Sequence, residues 1–211
     1  METKIMKKFM LLGIFFLFGV GAFAQDLPRT EVYLGYSFTR INSATNVPAF
    51  SANGGLGEIA FNLNKFLGIV GSFNATHNGN IHNFHVDQTG IGYMFGPRLN
   101  FRMGRVIPFI EGMWGATYDT RSFRVPTTVV APGVVQPGVV DTRFVNSQTA
   151  FSQQYGGGLD LPFGHHLAFR PIKLDYYMTR FEPVFFNGLG NANRNRNQNN
   201  LIYSVGFNFR F

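Results

Sequence analysis

With 211 residues the chain is long enough for one full sheet or barrel and too short for two independent cores. The absence of cysteine excludes a disulfide-held scaffold and thiolate metal sites. A charged fraction of 14%, beside 25 glycines, 25 phenylalanines and a formal net charge of +7, excludes a charge-laced helical bundle and points to strands and turns.

The chain opens on METKIMKKFMLLGIFFLFGVGAFAQ, with Lys4, Lys7 and Lys8 ahead of an apolar run from Phe9 to about Val20, and Ala22-Phe23-Ala24 before Gln25. This arrangement predicts a secretory signal peptide over residues 1–24, cut after Ala24, and one exported domain over 25–211. The apolar run is shorter than the ~20 residues a spanning helix needs. Removing it takes away three lysines and Glu2, so the basic balance weakens and carries little meaning for nucleic acid.

Beyond the leader, apolar residues alternate with a period of two in eight segments. Residues 32–40 set Leu34, Tyr36 and Phe38 on one face. Residues 54–63 repeat this with Ile59 and Phe61, and after the tight turn NLNKF around Lys65, residues 67–76 do so with Ile69 and Phe73. Segments 88–101 (Ile91, Tyr93, Phe95) and 107–118 (Ile110, Trp114, Tyr118) flank RMGR at 102–105. Segments 152–162 (Tyr155, Leu159) and 167–180 (Leu174, Tyr176) flank FGHH at 163–166. The last segment, 201–211, carries Leu201, Tyr203, Val205, Phe207, Phe209 and Phe211 on one parity. Four long loops are expected between them, at 41–53, 77–87, 119–151 and 181–200. Short and long connections in alternation predict an all-β, up-and-down antiparallel meander whose two ends face different surroundings.

Alternation alone does not say which face meets solvent, since a soluble lipocalin-like barrel also alternates. The polar face decides. A water-facing exterior tolerates crowds of Lys and Glu, whereas here that face is mostly Gly, Ser, Asn and Gln with one or two charges to a strand: Glu58, Arg98, Glu111, Asp160, Lys173, Asp175 and Arg210. Sparse charges of nearly balanced sign predict pairing in a confined interior. Eight strands leave an interior just wide enough for side chains to fill, so the bulk turns outward. The expected lipid-facing aromatics are Tyr36, Phe38, Phe61, Phe73, Tyr93, Phe95, Trp114, Tyr118, Tyr155 and Tyr176. The expected structure is an eight-stranded antiparallel transmembrane barrel with a plugged interior and periplasmic termini. Arg170 breaks the parity of its strand, and Pro171 beside it predicts a bulge near the periplasmic end.

With VYLGYSFTR in the first strand, GIGYMFGPRLNF in the fourth, YGGGLDLPFGHHLAFRPIKLDYYMTRF through the sixth and seventh and NNLIYSVGFNFRF at the end, the chain resembles the small eight-stranded outer-membrane barrels of the OmpA-like transmembrane-domain type. The resemblance covers essentially all of 30–211. It implies a place in the bacterial outer membrane, contact with its lipid and lipopolysaccharide, and insertion by the barrel-assembly machinery. Tyr203, Phe207, Phe209 and Phe211 resemble the terminal aromatic signal by which such barrels are recognised for insertion. Many OmpA-like chains continue into a peptidoglycan-binding domain; this sequence stops at the barrel, so cell-wall tethering is not implied.

The remaining motifs favour no catalysis. His77, His82 and His85 crowd one loop and His165-His166 a turn, but no Ser stands in register with His85, Asp87 alone completes no triad, and the three loop histidines lack metal-ligand spacing. GGLGEI at 54–59 lies within a strand pattern and is no dinucleotide motif. No cofactor or metal is expected. The third loop holds the repeat APGVV-QPGVV at 131–140, read as a hairpin extending beyond the membrane, as a floppy loop, or as a sticky surface for host or neighbouring proteins. Arg121, Arg124 and Arg143 in that loop, with Arg194 and Arg196 in NGLGNANRNRNQNN, suit lipopolysaccharide phosphates. The expected role is structural or surface-interacting, as a monomer, with loops 119–151 and 181–200 presented outward. A narrow pore, a lipid-modifying enzyme and a soluble periplasmic binder of an apolar ligand are the alternatives.

Overall fold

The computed structural model of the chain describes residues 28–42, 49–79, 86–129, 138–181 and 197–211. The expected signal peptide lies outside them, as do His82, His85, Arg194, Arg196 and the APGVV half of the repeat. Eight strands follow in order: β1 (Thr30–Ile41), β2 (Phe50–Asn62), β3 (Leu67–Asn78), β4 (Val86–Asn100), β5 (Ile107–Val129), β6 (Gly138–Phe163), β7 (Leu167–Arg180) and β8 (Asn197–Arg210). Each pairs antiparallel with the next, and β1 pairs with β8, so the sheet closes on itself. Closure leaves no strand edge unpaired around the ring, which is what allows strands to cross hydrocarbon.

The seam ties the chain's last residue. Glu31 faces Arg210 and Ile41 faces Asn200 across it. The N–H of Phe211 donates to Thr30 O at 2.8 Å, and that of Thr30 to Phe211 O at 3.3 Å. Alternation to the final residue is therefore strand structure held by its partner. At the same end, Gly104 and Gly164 turn the chain with φ of 73° and 75°, a region that costs any residue with a Cβ. Asn64 Oδ1 accepts the N–H groups of Phe66 and Leu67 at 2.7 and 2.8 Å, closing the first tight turn.

The two faces are sorted as the polar parity requires. Phe95 is 69% exposed, while Glu58 is 2% exposed inside the barrel. All ten aromatics expected on the outside are exposed there, from Tyr36 and Phe38 on β1 to Tyr155 and Tyr176 on β6 and β7. Among the described residues some aromatics go the other way, with Tyr33, Phe109 and Tyr177 buried in the interior. The expected bulge is also present, since the β7–β8 register shifts between Arg170 and Lys173. Its effect is to turn both of these residues inward although three positions separate them, an arrangement that strict alternation forbids.

The long-loop expectation at 119–151 needs correction. β5 and β6 run 23 and 26 residues and pair with each other through Val129 and Gly138, so most of this segment is a two-stranded extension of the wall. The Val, Thr and Phe content of 123–129 and 138–145 favours strand, and the alternation of apolar residues that marks a spanning segment stops because neither face of the extension needs hydrocarbon.

Candidate functional site: an ion-paired interior below an extended hairpin

The interior is built around Glu58 on β2. Its Oε2 accepts from Arg98 Nη2 of β4 at 2.5 Å and from Arg170 Nη1 of β7 at 2.8 Å, and its Oε1 is bonded to Lys173 Nζ. Arg98 also grips Glu111 Oε2 on β5 through Nε at 2.7 Å and Nη2 at 2.5 Å, while Lys173 reaches Glu111 Oε1 at 2.6 Å and Asp175 Oδ2 at 3.4 Å. Arg170 makes a two-pronged pair with Asp160 of β6, 2.6 Å from Nε to Oδ1 and 3.0 Å from Nη2 to Oδ2. Paired, two-pronged geometry offsets the large desolvation penalty of these buried ions.

The network continues downward. Asn208 of β8 donates one amide group to Glu31 Oε2 at 2.8 Å and to Asp160 Oδ2 at 3.0 Å, and Arg102 from the β4–β5 turn meets Glu31 Oε1 at 3.1 Å. Side chains of seven strands thus share one connected lattice, with β3 contributing small or apolar residues such as Val70 and Ser72. The inward aromatics explain themselves here. Arg98 and Arg170 stack on the Phe109 ring at 4.4 and 4.3 Å from its centroid, and Arg170 lies 4.2 Å from that of Tyr33.

Above the ions, Met94, Met113, Tyr177 and Ile202 pack with Ala60 and Val70 into an apolar layer. Tyr177 and Ile202 also floor a shallow cup of about 40 Å³ at the outer mouth, lined by neutral hydroxyls and amides with one acid, Asp119. Gln88 Nε2 donates to both oxygens of Asp119 at 2.9 and 2.8 Å, and Arg121 donates to Oδ2 at 3.1 and 3.3 Å. Among the described residues no group of three or more His, Cys, Asp or Glu is placed to hold a metal ion. His77 Nδ1 meets Thr89 Oγ1 at 3.0 Å, and His166 Nδ1 meets the Arg210 carbonyl at 3.1 Å.

Of the charges singled out from sequence, Glu58, Arg98, Glu111, Asp160, Lys173 and Asp175 meet in this lattice. Arg210 does not; it is half-buried at the rim beside the β6–β7 turn, where its backbone N–H donates to His166 O at 2.8 Å. Arg170 takes the place assigned to it. Sequence reasoning also passed over Glu31 and Arg102, although Glu31 shares its strand parity with Tyr33, and Asp119, which sat within a segment read as loop.

No protein-family model matches the chain, and no curated protein matches it at a significant level. Solved structures do match. The attachment invasion locus protein Ail of Yersinia pestis aligns at 17% identity and TM-score 0.54, covering 86% of this chain and 97% of Ail. Neisserial surface protein A aligns at 12% identity and TM-score 0.55, covering 89% of this chain and all of that one. Ail in complex with the heparin analogue sucrose octasulfate aligns at 16% identity and TM-score 0.52, with 86% and 97% coverage. The fold is that of the small eight-stranded outer-membrane barrels. In an outer-membrane barrel an aromatic outer belt and a paired ionic interior are the arrangement that hydrocarbon outside and exclusion of water inside demand.

Proposed function

We propose that the chain is an integral barrel of the bacterial outer membrane with a non-catalytic, surface-interacting role, in which the filled interior anchors an outward β5–β6 hairpin. One observation carries this reading: β5 and β6 run 23 and 26 residues, against 12–15 for the other six strands. The excess lies beyond Tyr118 and Phe151, the outermost exposed aromatics of the two strands' membrane segments. A lipid-embedded wall gains nothing from strands longer than its hydrophobic height, so the extension serves contacts outside. Ail, an attachment protein, and Neisserial surface protein A share the fold, which is in keeping with a surface role.

In this reading residues 1–24 act as the export signal, and Tyr203, Phe207, Phe209 and Phe211 as the terminal feature that the barrel-assembly machinery recognises. Exposed Arg143 is a contact for lipopolysaccharide phosphates in this reading, whereas Arg121 turns to Asp119, and the barrel works as a monomer. A lipid-modifying enzyme would need a nucleophile, base and acid aligned at the outer rim; the His77 Nδ1–Thr89 Oγ1 contact of 3.0 Å is the described pairing such chemistry would start from, and lipid A analysis tests it. A soluble apolar-ligand binder would need an apolar centre, where the ionic lattice sits instead.

Deletion of 125–143 tests the proposal. Cells expressing the shortened protein keep a detergent-resistant, heat-modifiable barrel but lose the adhesion or surface-protein binding that the full chain confers. Adhesion that survives the deletion overturns the surface role of this hairpin; a lipid A species missing an acyl chain after expression overturns the non-catalytic reading.

A further inference from the structure

We propose that the tight-turn end of the barrel holds anionic glycerophospholipid, a ring of basic side chains gripping headgroup phosphates in the leaflet opposite the β5–β6 hairpin. This rests on the reading in which that hairpin points outward, and adds a lipid class for the other end. The β2–β3, β4–β5 and β6–β7 turns and the β8–β1 seam bring their residues to one rim, at every second strand junction around the ring. Lys65 stands in the first turn, Arg105 in the second, His165 and His166 in the third, and Arg29 and Arg210 at the seam. Basic groups therefore surround this mouth instead of clustering on one side. The acids of this end turn away from them: Glu31 and Asp160 are buried inside, where Arg102 and Arg170 meet them at 3.1 and 2.6 Å. Arg29 and Arg105 are exposed, and among the described residues the only anion on their rim is a carboxylate at Phe211.

Positive charge alone suits any anion; the apolar half of each turn selects a lipid. Leu63 and Phe66 flank Lys65, Phe101 and Met103 precede Arg105, Phe163 precedes the two histidines, and Phe211 follows Arg210, all of these apolar side chains being exposed. Met103 and Phe211, 71% and 68% exposed, match Phe95 in the aromatic belt, so the apolar surface extends to the residues that carry the charge. Lys65 Nζ lies 5.5 Å from the centroid of the Phe66 ring, charge and carbon on one tip. Side chains so joined set their carbon in the acyl boundary and their charge at the level of the phosphates. A soluble polyanion would leave the six apolar groups in water. The guanidinium forks of Arg29 and Arg105 suit phosphate oxygens, and a headgroup without a cation of its own leaves that charge unopposed.

The test uses the full chain refolded in phosphatidylcholine vesicles with a trace of spin-labelled phosphatidylglycerol or spin-labelled phosphatidylcholine, the immobilised part of the spectrum reporting lipid held at the wall. At low salt the anionic label associates at least about threefold more strongly than the zwitterionic one, and the ratio falls toward unity in about 1 M NaCl. Arg29→Gln, Lys65→Gln and Arg105→Gln together bring the ratio close to unity while the barrel still shifts on heating, since none of the three belongs to the ion lattice. Arg40→Gln with Arg143→Gln, at the opposite end, keeps most of the preference. A ratio near unity in the parent overturns the inference, as does a preference that survives the triple substitution or disappears in the opposite-end pair. If adhesion depends on 125–143 but the rim shows no lipid preference, the lipid inference fails and the surface role stands; if the rim selects the anionic lipid but adhesion ignores the deletion, the reverse holds.

Discussion

Glu58 and Arg170 meet at 2.8 Å across the barrel although 112 positions separate them in sequence. Arg98 and Lys173 close on the same carboxylate, so three cations share this acid besides their other partners. Replacing Glu58 by Gln leaves those buried cations short of an anion, a loss of about 3–5 kcal/mol by the general cost of breaking a buried pair. Urea unfolding in lipid vesicles, followed by Trp114 fluorescence, reads it directly. A variant within about 0.5 kcal/mol of the parent would show that Glu58 is not the keystone of the lattice.

The same lattice fills the cross-section, and the Met94–Met113–Tyr177–Ile202 layer covers it. Planar-bilayer recordings of the purified barrel should show no stable open conductance of nanosiemens order. A steady conductance of that size would mean that the ions line a passage, and the narrow-pore alternative would replace the plugged one.

Gly156 provides the floor on which Asp175 rests. A Cβ placed there lands on the Asp175 carboxylate and the Leu174 carbonyl, the second of which is backbone and cannot move aside. Gly156→Ala should lower stability by about 1–3 kcal/mol and raise the unfolded fraction on an unheated detergent gel. Gly71→Ala is the control, since a Cβ at Gly71 meets nothing within 4 Å. Equal behaviour of the two would remove close packing as the reason for glycine at 156.

Phe207, Phe209 and Phe211 are exposed on the outer face of β8, so they add little to the interior. Exchanging Phe209 and Phe211 together for Ser should therefore lower the amount assembled in cells several-fold while leaving refolding into short-chain lipid vesicles close to the parent. Equal loss in both settings would make these residues contributors to membrane anchoring and not a recognition feature.

Most of the fold was legible because a period of two is a strong signal wherever one side of a strand must be apolar. Tyr93 and Phe95 on β4, or Phe207 and Phe209 on β8, define parity unambiguously. The signal fades where that demand ends, and so β5 and β6 past Tyr118 and Phe151 read as loop. Inside the barrel, parity gives the direction of a charge but not its partner. Lys173 and Asp175 share a face of one strand and so were expected together, but nothing marked Glu111 of β5 as joining them. Arg170 was misjudged for the opposite reason: Pro171 announced a bulge, yet only the register shift shows that the bulge turns Arg170 toward the axis instead of out of the pattern. Tyr33 and Phe109 look like misplaced aromatics until the guanidinium groups stacked on them are seen.

The hydrogen bonds between Thr30 and Phe211 bring the two ends of the domain side by side. A ring of this kind has no privileged starting point. A linker of a few residues from Phe211 to Thr30 would allow the polypeptide to be reopened at the Gly104 or Gly164 turn, and the permuted chain would still thread every neighbour beside its present neighbour. The order in which the ribbons are synthesised is thus separable from the architecture they reach, and the identity of the segment that happens to come last becomes an adjustable variable.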